Sequence, residues 1–155
     1  MGLTNRMNAM QVQPYTLDMR VRWSDMDPNG HVRHSAYLDY AAHIRICYFE
    51  ESDYPVSRLD QERIGPVLFS ESIDYRRELK SAEKISCDIS LVGLSKNQKH
   101  WLLRHHVYKA SGELAAILNC RGAWLHLDNR CVIPATNDLY ASLLQLQRTD
   151  DFEWI

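Results

Sequence analysis

From Tyr15 the chain alternates apolar and polar side chains. Tyr15, Leu17, Met19, Val21 and Trp23 are interleaved with Thr16, Asp18, Arg20 and Arg22, the period of a half-buried strand. The alternation stops at Ser24-Asp25-Met26-Asp27-Pro28-Asn29-Gly30, a run of turn formers. Ser35 can then cap a helix running to about Phe49. Tyr37, Tyr40, Ala41, Ile44 and Tyr48 share one face of it, and Leu38, Ala42, Ile46, Cys47 and Phe49 make the rest apolar as well. Such a helix is expected to be enclosed on most sides.

Residues 50–65 are polar and include Pro55, which reads as a connection with one short helical turn. Strand periods return at Val67 to Leu79, at Ile85, Cys87, Ile89 and Leu91, at Trp101, Leu103, His105 and Val107, and at Leu114 to Leu127. Turns separate them at Gly93 to Gln98 and at Ser111-Gly112, Pro134 ends the last, and Leu139, Leu143, Leu144 and Leu146 suggest a terminal helix. One strand, one enclosed helix and four strands in hairpin succession predict an α+β protein, an antiparallel sheet with a helix on one face. The expected boundaries are a flexible segment over 1–13, with Met7 or Met10 as an alternative start, one domain over 14–147 and a C-terminal tail over 148–155.

At 155 residues, 45% hydrophobic and 25% charged, the chain fits a single globular domain. A net charge of −2 makes no electrostatic case for nucleic acid or an anionic membrane surface, and no apolar run reaches the length of a membrane span. The first residues lack the apolar core of a signal peptide, so a cytoplasmic location is the default expectation. Cys47, Cys87, Cys120 and Cys131 form no Cys-x-x-Cys pair, and Cys47 and Cys87 read as small buried hydrophobes. His105 and His106 would point to opposite faces of a strand, which disfavours a shared metal.

The chemistry concentrates in the loop before the helix. Asp25 and Asp27 flank Met26, and Gly30, His31 and His34 follow within seven residues of Asp27. A helix N-terminus offers free N–H groups and a positive dipole end, which can polarise a carbonyl and stabilise an oxyanion. A carboxylate beside it can act as general base or nucleophile, and a histidine can orient water or protonate a leaving group. These features suggest acyl transfer to water. The plainer reading is a turn and a helix cap. Arg76, Arg77 and Lys80 form a basic cluster, either a solvated strand end or a contact for phosphates.

The run Asp25-Met26-Asp27-Pro28-Asn29-Gly30-His31-Val32-Arg33-His34-Ser35-Ala36-Tyr37 resembles the signature of the hotdog acyl-CoA thioesterases, close to the 4-hydroxybenzoyl-CoA thioesterase branch. The shared pattern is Asp-x-Asp-x-x-Gly-x-Val with a Tyr ten residues after the second Asp, and the likeness extends from Tyr15 to about Leu144. It implies a curved antiparallel sheet wrapped around a central helix, and a homodimer or homotetramer with active sites at the interface. It implies an acyl-coenzyme A substrate, and neither a separate cofactor nor a metal. On this basis Asp27 and His34 are the expected catalytic residues, with Gly30, His31 and Tyr37 contacting substrate, and the basic Arg76 and Arg77 are added as candidates for its phosphates.

Two positions depart from the family pattern. Ala42 stands where many relatives carry an acidic residue, and Arg33 replaces a residue commonly aromatic or small and polar. Glu71, between Ser70 and Ser72, lies on a strand the family brings near the site from the partner and is a candidate for a supporting role. The resemblance leaves open whether Asp27 activates water or attacks directly, and Tyr37 and Tyr40 are expected to line part of the acyl pocket. A hotdog hydratase or dehydratase and a non-catalytic acyl-CoA binding protein are the other readings.

Overall fold

Seven strands and three helices account for most of the chain in the computed structural model, which describes residues 13–155. Strand β1 (Tyr15–Arg20) leads through a short 3-10 turn (Trp23–Asp25) and the Asp27 loop into helix α1 (Ala36–Glu51). Then come α2 (Val56–Gln61), β2 (Ile64–Tyr75), β3 (Lys84–Leu94), β4 (His100–Lys109), β5 (Leu114–His126), β6 (Cys131–Ile133), α3 (Asn137–Leu144) and β7 (Arg148–Trp154). The flexible segment expected over 1–13 lies, but for Gln13, outside the described residues.

One sheet holds all the strands, in the order β1-β3-β4-β5-β2, with β6 paired to β5 and β7 to β3. All pairings are antiparallel except β7 with β3. The sheet and the helix it wraps are the hotdog arrangement. Three expectations need correction. Strand β2 does not continue in hairpin succession into β3 but crosses to the far edge and pairs with β5. It also ends at Tyr75, and Leu79 is buried in the following loop, where its carbonyl accepts from Val32 N–H. Residues 148–155, expected as a tail, supply β7, whose Arg148 guanidinium lies 4.4 Å from the Phe152 ring centre and whose Asp151 pairs with Arg104.

The inner face of the sheet carries the core. Ile85, Cys87, Ile89 and Leu91 of β3 and Trp101, Leu103, His105 and Val107 of β4 all point inward and are buried against α1. Gly122 sits opposite Trp101 in the β4–β5 register, and a Cβ there would lie 2.2 Å from the indole ring. Glycine is therefore what lets the indole lie flat on β5.

Helix α1 is less enclosed than its composition predicts. Ala36, Tyr37, Tyr40, Ala41, Ile44, Tyr48 and Phe49 are buried, but Asp39, Ala42, His43, Ile46 and Glu50 form an open stripe. Cys87 is buried as expected, whereas Cys47 is half-buried. Strand β2, at the sheet edge beside this stripe, leaves Leu68 and Phe69 exposed at a bulge. The sequence could signal apolarity but not which apolar positions the same chain covers.

Candidate active site

The two aspartates of the loop have different surroundings. Asp25 is fully buried and receives hydrogen bonds from Arg22 N–H (3.1 Å), Arg22 Nε (3.1 Å), Arg22 Nη2 (2.8 Å) and Tyr40 Oη (2.8 Å). Burial alone would raise its pKa, but the bonds from Arg22 and Tyr40 outweigh it and hold the carboxyl below the usual range. Its carbonyl accepts from Arg33 N–H at 2.8 Å, so Asp25 fastens both ends of the loop to α1. Tyr40, expected to line an acyl pocket, is buried and committed to this anchor instead.

Asp27 lies two residues on and makes far fewer contacts. The loop closes on itself: Met26 bridges Val32, Asp27 N–H donates to the His31 carbonyl (3.0 Å), and Gly30 N–H to the Asp27 carbonyl (3.1 Å). Gly30 adopts φ +79°, a region that favours glycine, and Pro28-Asn29-Gly30 makes the tip. One Asp27 carboxylate oxygen accepts from Asn29 N–H at 2.9 Å; the other lies 3.6 Å from His31 Nδ1. The Asp27 side chain is 19% exposed, partly shielded but open to a small molecule.

A cleft of about 450 Å³ opens beside it, lined by Asp27, Asn29, His31, His34, Tyr37 and Tyr75, with Val32, Arg76, Arg77 and Glu78 completing the wall. Of the residues expected from sequence, Asp27, His31, His34, Tyr37, Arg76 and Arg77 all converge here. Gly30 does not line the cleft; it shapes the loop, and its carbonyl accepts from Lys80 Nζ at 3.3 Å. Glu71 is also absent from this wall and instead faces Arg45.

The basic pair divides in two. Arg77 is held by Glu113 at 2.6 Å, whereas Arg76 has no ion-pair partner among the described residues. Their backbone N–H groups both donate to the Ala115 carbonyl, which places the two side chains just past the end of β2. At the start of α1, Ala36 and Leu38 N–H turn back onto the Arg33 and Ser35 carbonyls, while Tyr37 N–H finds no acceptor among the described residues. Burial raises the Tyr37 phenol to about 12, with Tyr75 adding to the effect, so it stays protonated at neutral pH.

Tyr75 is the residue that sequence reading missed. Its ring meets Tyr37 edge to face at 5.3 Å and its hydroxyl donates to the His34 carbonyl at 3.1 Å. The available signal was an aromatic at an otherwise polar strand end, next to Arg76 and Arg77.

The family model described as "Thioesterase-like superfamily" matches residues 21–143. No curated protein sequence matches the chain significantly. Among solved structures, a hypothetical protein of Staphylococcus aureus in complex with CoA superimposes with a TM-score of 0.81 at 16% identity, covering 92% of this chain and 90% of that one. YbaW, a probable thioesterase of Escherichia coli, gives 0.72 at 21% identity, with 86% and 98% covered. A 1,4-dihydroxy-2-naphthoyl-CoA thioesterase of Synechocystis gives 0.75 at 13% identity, with 85% and 96% covered. At these identities the likeness is one of fold.

Proposed function

Since the chain belongs to the thioesterase-like superfamily, we propose that it hydrolyses an acyl-coenzyme A thioester to the free acid and coenzyme A. The observation that carries this reading is the cleft in which the lightly bonded Asp27 carboxylate meets His31, His34 and the first turn of α1. The thioester carbonyl docks at the free Tyr37 N–H, which stabilises the oxyanion. Asp27 either takes the proton of an attacking water or adds directly to the carbonyl carbon, giving a mixed anhydride that water then opens. The C–S bond breaks, and His34 hands a proton to the departing thiolate. Arg76 and Arg77, at the mouth, face the coenzyme A phosphates. The solved complex of the S. aureus neighbour with CoA supports a coenzyme A ligand for this fold.

The working unit in this reading is a homo-oligomer. The open edge of β2, with Leu68 39% and Phe69 49% exposed, and the stripe of Ala42 and Ile46 on α1 are apolar surfaces that a second copy would cover. Light scattering on the purified protein tests it, a monomer at micromolar concentration being the contrary result.

The activity is tested by thiol release from a panel of short, long, branched and aromatic acyl-CoAs beside Asp27→Asn. Turnover that disappears in the variant supports the assignment. A folded protein silent on every thioester overturns it.

A further inference from the structure

Helix α1 and strand β2 run alongside one another in opposite directions. Tyr37 meets Tyr75 at one end, Arg45 faces Glu71 in the middle, and Ile46 and Phe49 face Pro66 and Leu68 at the other end. Leu38 and Ile73, both partly buried, lie between the first two pairs. The Asp27 cleft occupies the first end of this groove. A second, more enclosed cavity of about 200 Å³ occupies the far end, walled by Ala42, Phe49, Leu68, Trp101 and Trp124. An apolar cavity of roughly 150 Å³ is enough to hold a benzene ring. Ala42 adds an apolar side chain to this wall.

One charged side chain enters the cavity wall. Arg45 is only 12% exposed, and its bonding is incomplete. Its Nη1 meets His105 Nε2 at 3.2 Å and Cys120 Sγ at 3.5 Å. The Asp88 carbonyl, 3.0 Å from His105 Nδ1, draws the ring proton to that nitrogen and leaves Nε2 to accept from Arg45. Glu71 stands 3.8 Å from Nη2, too far for a hydrogen bond, and no other acceptor among the described residues reaches Nε or Nη2. These two donor positions are not sealed from solvent, and an oxygen entering the cavity would give them an acceptor inside the wall.

We propose that the far cavity receives the distal end of the acyl group and that Arg45 selects acyl chains carrying a neutral oxygen there, a hydroxyl or a ketone. The inference rests on the thioesterase reading above. Eight residues of helix separate Tyr37 from Arg45, about 12 Å along the axis, so the chain is of medium length. A neutral oxygen fits better than a carboxylate because Glu71 already balances the guanidinium, and a second anion would sit beside it.

The experiment compares acetyl-CoA, decanoyl-CoA, its terminally hydroxylated analogue and the terminal carboxylate analogue, with wild type, Arg45→Met and Ala42→Glu. The hydroxylated thioester should exceed decanoyl-CoA in kcat/KM by about tenfold in the wild type, and the carboxylate should not. Arg45→Met should bring the hydroxyl-to-plain ratio close to one. Ala42→Glu, in the wall of the far cavity, should raise KM for both ten-carbon thioesters more than for acetyl-CoA in protein whose light-scattering mass matches the wild type. A wild-type ratio near one, or a ratio that survives in Arg45→Met, overturns the inference while leaving hydrolysis in place. If no thioester is turned over, the hydrolase reading fails instead. Tryptophan fluorescence from Trp101 and Trp124 then decides: quenching by the hydroxylated thioester that Arg45→Met abolishes supports the site, and no quenching overturns it.

Discussion

Tyr40 donates its hydroxyl proton to the Asp25 carboxylate across 2.8 Å, joining the second turn of α1 to the loop that carries Asp27. The bond is buried, and Arg22 supplies the balancing charge. Asp25 thus holds the frame in which Asp27 is presented.

Tyr40→Phe should therefore destabilise the fold by about 1–3 kcal/mol, since it removes a donor from a buried carboxylate. Urea denaturation with an unchanged m-value would read this directly. A loss below about 0.3 kcal/mol would mean that Arg22 alone satisfies Asp25.

Asp27→Asn is expected to behave in the opposite way. Its carboxylate has one backbone hydrogen bond, from Asn29 N–H, and an amide oxygen can accept it. Thermal stability should stay close to wild type, while hydrolysis falls by about two to four orders of magnitude. Equal loss of stability and activity would place Asp27 in the scaffold.

The pH dependence of stability should be set in part by His105. Burial, and then the Arg45 guanidinium, push it down to about 3 from an ordinary 6.5. As pH falls through 6.5 the unfolded chain takes up a proton that the folded chain refuses, so stability is lost from there towards 3, at up to about 1.4 kcal/mol per pH unit. Above 6.5 this residue contributes no slope. His105→Gln keeps an acceptor for Arg45 without the titration, and urea midpoints down to about pH 5 should fall less steeply in the variant. Parallel curves for the two proteins would refute the assignment.

Gly122→Ala should be among the costlier single-methyl additions in the sheet. The new Cβ would meet Trp101 Cζ2 at 2.2 Å and the Val67 carbonyl oxygen at 2.5 Å, one of them backbone. A loss of about 1–3 kcal/mol is expected, with a shifted near-UV tryptophan signal. A variant with wild-type stability and spectrum would show that the Trp101 ring has room to move.

The sequence made β3 and β4 legible because inward residues recur at every second position, from Ile85 to Leu91 and from Trp101 to Val107. It made the Asp27 cleft legible because most of its wall comes from one continuous stretch. What it hid was long-range. The pairing of β2 with β5 rather than β3 is a choice between edges that an alternating pattern cannot express. Strand β7 has few apolar residues and is held by its ladder to β3 and by Arg104–Asp151, a pair 47 residues apart. Tyr75 and Arg45 gain their roles from what stands opposite them on another element, Tyr37 in one case and Glu71 and His105 in the other.

The two margins of the sheet are unequal templates for strand addition. On one side, β3 is covered by two short strands of opposite polarity, β1 antiparallel over Lys84 to Ile89 and β7 parallel over Leu91 to Leu94. Neither strand, nor the break between them, offers a long run of free N–H and C=O groups in one register. On the other side, β2 offers a single strand of 12 residues. A chain that joins another through β2 has then no second long ladder to extend. Strand-to-strand growth of such a pair would stop there, because the opposite margin offers no comparable template for a fibre.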